Sequence, residues 1–350
     1  MAPSLHIPDE FYIPAPPEQP NSSAAATQPH HIIFIPGNPG CIAYYQTFLA
    51  TLHQTLNTVP STTPTAAPAR YAVYGRSLRG FELNDASNHS SLSTRFKHGP
   101  WGLQAEIAFV ETLLQTYVTK LARLSSDGTK PKLIIVGHSL GTFIIMEVLR
   151  RRNERFRTLR KGEWSADAQF EIVAAVQLFP TVVDIVASPN GRTFGWLLPL
   201  PYAVTVLSFL AGCMLSFVGL LGNTIFDGLV KWWTNMPDDA ASVTAMWLRG
   251  ENGVHQSLYL AADEMREMTA DRWDADIWGS AGSRDVMSRR TKLFFYFAIK
   301  DSWIADKTRD QLIATRGRRI ADADVEREDD WKPSMEIDEG MIPHGFCIRM

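Results

Sequence analysis

A serine between two glycines, in Gly137-His138-Ser139-Leu140-Gly141, is the residue of this chain best placed to do chemistry. The G-x-S-x-G spacing follows the apolar run Lys132-Leu133-Ile134-Ile135-Val136 and precedes Thr142–Arg150, which reads as a helix. Strand, tight turn and helix are the setting of a nucleophile elbow, where the turn strains the serine backbone and the glycines keep bulk away from Oγ. An ordinary glycine-rich turn without chemistry is the competing reading. A serine hydroxyl is a poor nucleophile at neutral pH, so it needs a base within hydrogen-bond reach and a carboxylate to orient that base. With this elbow the chain order is serine, acid, histidine.

Only His255 and His344 follow Ser139. His255 lies in an atypical insert. His344 lies in the loop Ile342-Pro343-His344-Gly345-Phe346 and is the better base by position, a surface histidine being the alternative. Asp301, at the expected end of a strand over Leu293–Lys300, is the favoured acid. Asp184 and Asp306 compete on the same geometric argument, and helix N-caps or solvated turns would account for such aspartates without chemistry. The oxyanion of an acyl-transfer intermediate needs two donors, one from Leu140 N–H and one from the loop Pro36-Gly37-Asn38-Pro39-Gly40. Pro39 has no N–H, so Asn38 or Gly37 must donate, and Asn38 is favoured. No Gly-Lys-Ser/Thr follows, so this is not a phosphate loop. His138 reads as packing within the elbow, its ring turned away from Oγ.

These residues need a scaffold, and the scaffold is legible as alternation. Five short apolar runs, His31–Ile35, Tyr71–Tyr74, Leu133–Val136, Ile172–Phe179 and Leu293–Ala298, read as strands, with a short last strand at Met335–Ile337. Continuous apolar strands predict a sheet covered on both faces. Between them, residues 103–117 repeat apolar positions at three and four, as an amphipathic helix does. The expected class is therefore α/β, a mostly parallel sheet covered by helices, with its site at the carboxyl ends of the strands. The core is expected over residues 30–192 and 291–350. Residues 1–29 carry no secretory signal and are expected to be a loosely ordered lead-in, rich in Pro, Ser, Ala and Gln over 11–29. Glu326, Glu328, Asp329 and Asp330 read as a solvated acidic loop without calcium-loop spacing.

Composition removes other classes. A net charge of −3 over 350 residues gives no footprint for nucleic acid. Three widely spaced cysteines fit neither a disulfide framework nor a metal site and favour a reducing compartment. No metal or organic cofactor is called for.

The insert over 193–290 breaks the alternation. No Asp, Glu, Lys or Arg occurs between Arg192 and Asp227. Three structures suit such a stretch: a membrane span, a hairpin embedded in one lipid monolayer, or a buried cap over an apolar pocket. The hairpin is favoured, because the strands on both sides must share one compartment. Trp196, Trp232 and Trp233 flank the stretch, where aromatic residues favour a membrane–water boundary.

Several motifs together resemble the lipid droplet-associated hydrolase family, a branch of the α/β-hydrolases. They are Ile35–Gly40 with Tyr44-Tyr45-Gln-Thr-Phe48, Leu178–Gly191, Phe295–Asp306 and Ile342–Cys347. The resemblance spans about residues 30–350, the insert matching in apolar character only. It implies an α/β-hydrolase fold and a serine ester hydrolase at the cytosolic surface of lipid droplets and the endoplasmic reticulum. It puts Ser139, Asp301 and His344 on the nucleophile, acid and base. Sterol esters or triacylglycerols are the implied substrates. A non-enzymatic droplet organiser on an inherited fold and an acyltransferase are the alternatives. Related hydrolases continue into a further helix, whereas this chain stops six residues after His344. The loop carrying the base is therefore expected to be mobile, beside an uncovered apolar sheet edge.

Overall fold

Strands whose interiors are continuous apolar runs belong where both faces of a sheet are covered, and the central strands here obey that rule, with charge only at their first residues Lys132 and Glu171. The computed structural model describes residues 8–17, 28–59, 69–83, 99–124, 129–158, 165–250, 252–279, 291–318 and 331–349. Seven strands form one sheet: β1 (Glu10–Ile13), β2 (His30–Ile35), β3 (Tyr71–Arg76), β4 (Lys132–His138), β5 (Glu171–Leu178), β6 (Lys292–Phe297) and β7 (Ser334–Ile337). Their spatial order is β1-β3-β2-β4-β5-β6-β7. β1 runs antiparallel to β3, and every other neighbouring pair is parallel. Together with the covering helices, this is the α/β-hydrolase fold.

The chain order reverses around β2, which lies between β3 and β4. Such a switch point opens a crevice at the carboxyl ends of the strands. β2 and β4 pair with Ile35 opposite Gly137. That register brings the loop carrying Asn38 beside the turn carrying Ser139.

Helix α1 (Gln46–Thr58) packs on β3, and α2 (Leu103–Leu124) packs on α3 (Leu140–Thr158). α3 is the central helix: every residue from Leu140 to Leu149 is buried, and it packs on β2, β4 and β5. On α2, Leu103, Ile107, Val110, Leu114 and Tyr117 are buried at the predicted three- and four-residue spacing.

The expected loose lead-in is corrected over residues 10–13. Glu10-Phe11-Tyr12-Ile13 forms the edge strand β1, its two apolar residues less exposed than the residues they alternate with. Alternation over only four residues is too short to stand out within a Pro-rich stretch. Residues 18–27 of the lead-in, 280–290 of the insert and the acidic stretch Glu326–Asp330 lie outside the described residues.

Among the described residues, the segment after β5 holds the α-helices α4 (Pro189–Phe194), α5 (Ala203–Gly219), α6 (Asn223–Thr234), α7 (Asp238–Arg249) and α8 (Gly253–Glu267). They divide the insert into two different structures. α7 and α8 bury Ala240, Val243, Leu260 and Met265 and belong to the main core. α5 buries none of its residues, so the idea of a cap buried throughout does not describe it. Among the described residues no single helix is long and apolar enough to cross a membrane; α5 and α6 pass that test only as a pair, bent by 119°. A further helix, α9 (Asp306–Arg316), follows β6.

Candidate active site

The turn after β4 forces Ser139 to φ 51°, a left-handed conformation that costs a non-glycine residue energy. The surrounding bonds hold it there. Ser139 N–H donates to the Leu178 carbonyl at 3.0 Å, and the Ser139 carbonyl accepts from Thr142 N–H at 2.8 Å. The flanking glycines are required by close approach. A Cβ on Gly137 would lie 2.6 Å from Ile145 Cδ1, and one on Gly141 would collide with the Ile35 carbonyl oxygen. Strand, strained serine and buried helix are the predicted elbow.

His344 Nε2 lies 2.9 Å from Ser139 Oγ, and His344 Nδ1 lies 2.7 Å from Asp301 Oδ2. The three side chains thus form one hydrogen-bonded line. Asp301 is buried, and its other oxygen accepts from Trp303 N–H at 2.7 Å, so the carboxylate is fixed at both ends. β6 ends at Phe297, three residues short of the expected strand end, and Asp301 sits in the turn that follows. With a carboxylate on Nδ1, the imidazole carries its proton there and presents a free lone pair on Nε2 to the serine hydroxyl.

The alternative residues fall elsewhere. His255 lies on α8 with Nδ1 2.9 Å from Ser208 Oγ of α5. Asp306 opens α9 and pairs with Arg309 at 3.2 Å. Asp184 precedes a short turn at Ile185–Ala187.

Of the two oxyanion-donor alternatives, Gly37 N–H already donates to the Tyr45 hydroxyl at 3.2 Å. That leaves Asn38 N–H as the candidate on this loop. Leu140 N–H opens α3, where the first N–H groups have no partner within the helix. The Asn38 side chain is turned to the cap: Nδ2 donates to the Ser257 carbonyl at 3.0 Å and to Glu264 Oε1 at 2.9 Å.

The loop carrying His344 is braced, contrary to the expected mobility. Phe346 is buried against the rings of Phe48, His138 and Phe179, with centroids 5.1–5.5 Å away. Upstream, the Asp338 carboxylate accepts from Tyr296 Oη at 2.7 Å and from Ile342 N–H at 2.6 Å. His138 supplies the third brace, its Nε2 lying 2.8 Å from the His344 carbonyl oxygen. A carbonyl only accepts, so Nε2 carries the His138 proton, and Nδ1 accepts from Tyr45 Oη at 2.8 Å. Burial, reinforced by nearby His344, pushes the His138 pKa down to about 3, which keeps the ring neutral.

Tyr45 and His138 therefore connect the loop carrying Asn38 to the loop carrying His344, a role the sequence does not announce. Both residues sit in motifs it does display, Tyr44-Tyr45 and Gly-His-Ser. Tyr45→Phe leaves Gly37 N–H and His138 Nδ1 unpaired in a buried site. The expected cost is about 1–3 kcal/mol of stability. Thermal unfolding checks this, and an unchanged melting temperature contradicts it.

Above the serine lies a cavity of about 570 Å³, lined by Ser139, His344, Tyr44, Trp303, Met236 and the cap residues Thr244, Trp247 and Met265. That volume is within the range of sites that bury a small organic ligand. Glu264 also lines it; burial, opposed by the Asn38 bond, pushes its carboxyl up to about 7. Among the described residues no group of three or more His, Cys, Asp or Glu side chains is arranged to hold a metal ion.

The chain is similar to known proteins in sequence and in fold. The family model described as lipid-droplet associated hydrolase matches residues 28–347. The chicken lipid droplet-associated hydrolase (Gallus gallus) is 25% identical over 283 residues, covering 80% of this chain and 72% of the relative. A Dictyostelium discoideum protein of the same name is 22% identical over 318 residues, covering 91% and 82%. Among solved structures, a peroxisomal α/β-hydrolase from Saccharomyces cerevisiae superposes with a TM-score of 0.47 at 10% identity, covering 96% of this chain and 83% of that one.

Proposed function

Since this chain belongs to the lipid droplet-associated hydrolase family, we propose that it is a serine carboxylic-ester hydrolase acting on neutral lipid esters at the droplet surface. The observation that carries this reading is the line from Ser139 Oγ through His344 to Asp301, with contacts of 2.9 and 2.7 Å. Ser139 Oγ attacks the ester carbonyl carbon as its proton passes to His344 Nε2. Asp301 orients the imidazole and stabilises the imidazolium. The tetrahedral oxyanion accepts from Asn38 and Leu140 N–H. Collapse expels the alcohol, which takes the proton from His344, and leaves an acyl-enzyme. Water, deprotonated by His344, then releases the fatty acid and restores Ser139. No step calls on a cofactor.

The surface as well as the pocket supports this substrate class. Phe209, Met214, Phe217 and Leu220 of the α5–α6 hairpin are 68, 63, 75 and 82% exposed, and Trp196, Trp232 and Trp233 are 67, 75 and 81% exposed. An uncharged helix with outward apolar side chains and flanking tryptophans suits the boundary of one lipid monolayer. We place the enzyme on the cytosolic face of droplets and endoplasmic reticulum, with sterol esters or triacylglycerols as substrates. Incubation with emulsions of each ester, with and without a competing alcohol, tests the reaction. Released fatty acid is expected from at least one emulsion, with no transfer product dominating. Release from neither sinks the hydrolase reading, and a dominant transferred ester replaces it with acyl transfer.

A further inference from the structure

The Asn38 amide has two N–H groups, and both are committed to helix α8: one to the Ser257 carbonyl at 3.0 Å, the other to Glu264 Oε1 at 2.9 Å. The acceptors are seven residues, or about two turns, apart, so they lie on one face of the helix. α8 is itself tied to the core. Gln256 bonds both the N–H and the carbonyl of Trp101 at 2.8 Å, and Asp263 accepts from Leu103 N–H at 3.0 Å. α8 also meets the exposed helix α5, in part through His255 and Ser208. Glu264 is only 6% exposed, a costly place for a carboxyl unless a partner repays its burial. What the carboxyl touches is the side chain of Asn38, the residue whose backbone N–H is the candidate oxyanion donor on its loop.

We propose that Glu264 is a positioning residue for the oxyanion loop, holding Asn38 from the cap so that its N–H is aimed at the developing charge. This rests on the serine-hydrolase reading above. The cap is then part of the catalytic geometry and not merely the pocket's roof. The helix that meets the lipid-facing hairpin also fixes one of the two oxyanion donors. Donor placement matters because a hydrogen bond made only to the transition state acts on kcat and hardly on KM. Losing one such donor costs about 10²–10³ in kcat, and misplacing one costs part of that.

The test compares Glu264→Leu with Glu264→Gln on a soluble short-chain ester. Glu264→Leu leaves an Asn38 N–H without an acceptor; Glu264→Gln retains one. Glu264→Leu is expected to lower kcat by about 10- to 100-fold with KM within about threefold. Glu264→Gln is expected to stay within about threefold of wild type. Should Glu264→Leu fail to fold, Asn38→Ala removes the same bonds from the other side, keeps the backbone N–H, and is expected to show the same fall in kcat. Wild-type kcat in the folded Leu or Ala variant overturns the proposal. Equal losses in the Leu and Gln variants also overturn it, because they indicate a structural role for the carboxylate. Both outcomes leave the hydrolase reading standing if turnover by the wild type still depends on Ser139. Absence of any Ser139-dependent turnover removes both proposals together.

Discussion

Ser139→Ala is expected to lower kcat/KM for a soluble short-chain ester by at least about 10⁴-fold, with the fold unchanged. The change removes the nucleophile and fills no new space, since alanine keeps the Cβ that the elbow already accommodates. His344→Ala is expected to cost a similar factor. Its ring connects the serine to the carboxylate, and without it Oγ has no base within reach. Asp301→Asn is expected to cost about 10⁴-fold, because an amide that donates to Nδ1 forces the wrong tautomer on the imidazole. Combining Ser139→Ala with His344→Ala is expected to add little, as residues acting as one unit lose their effect together. Rates on purified variants, with circular dichroism to verify folding, check these values. A Ser139→Ala variant within tenfold of wild type contradicts the triad.

The second large effect belongs to the lipid surface. Replacing Phe209, Met214, Phe217 and Leu220 together by serine is expected to weaken binding to triacylglycerol-cored droplets by at least about 100-fold. Full burial of one large apolar side chain is worth about 1.5–3 kcal/mol. Four residues immersed only in part still supply about 3 kcal/mol, which is about 100-fold in partition. None of the four lines the cavity over Ser139. Turnover of a soluble ester is therefore expected to remain, while turnover of emulsified ester falls. Flotation of the protein with droplets measures the first effect. Undiminished flotation by the variant removes α5 from the docking surface.

The candidate site residues were the most legible part of this chain, because each obeys a simple rule of spacing or chain order. Ser139 stands between glycines after an apolar run, and His344 is one of only two histidines that follow it. The central strands were legible for the same reason, as apolar runs bounded by turn residues. What the sequence hid depends on long-range contacts. β1 is four residues long and gains its identity only by pairing with β3. The bracing of the His344 loop comes from His138, which lies 206 residues earlier, and from packing of Phe346. No periodicity reports such a pair. Glu264 was closer to visible, since it falls in line with buried Gln256 and Leu260 at a four-residue spacing on α8. A carboxylate on a buried helical face is a signal that it has a partner. The insert illustrates a different limit. An apolar helix reads alike whether its side chains face a core or a surface, and only the exposure of α5 shows that it does not line the core.

The central claim is that Ser139 is an activated nucleophile. Labelling with a fluorophosphonate probe tests it most directly, because the probe reports serine activation without a choice of lipid substrate. The wild-type protein is expected to be labelled at one site, Ser139, with labelling lost in Ser139→Ala and in His344→Ala. A folded wild-type protein that takes up no probe, or one labelled equally after Ser139→Ala, contradicts it.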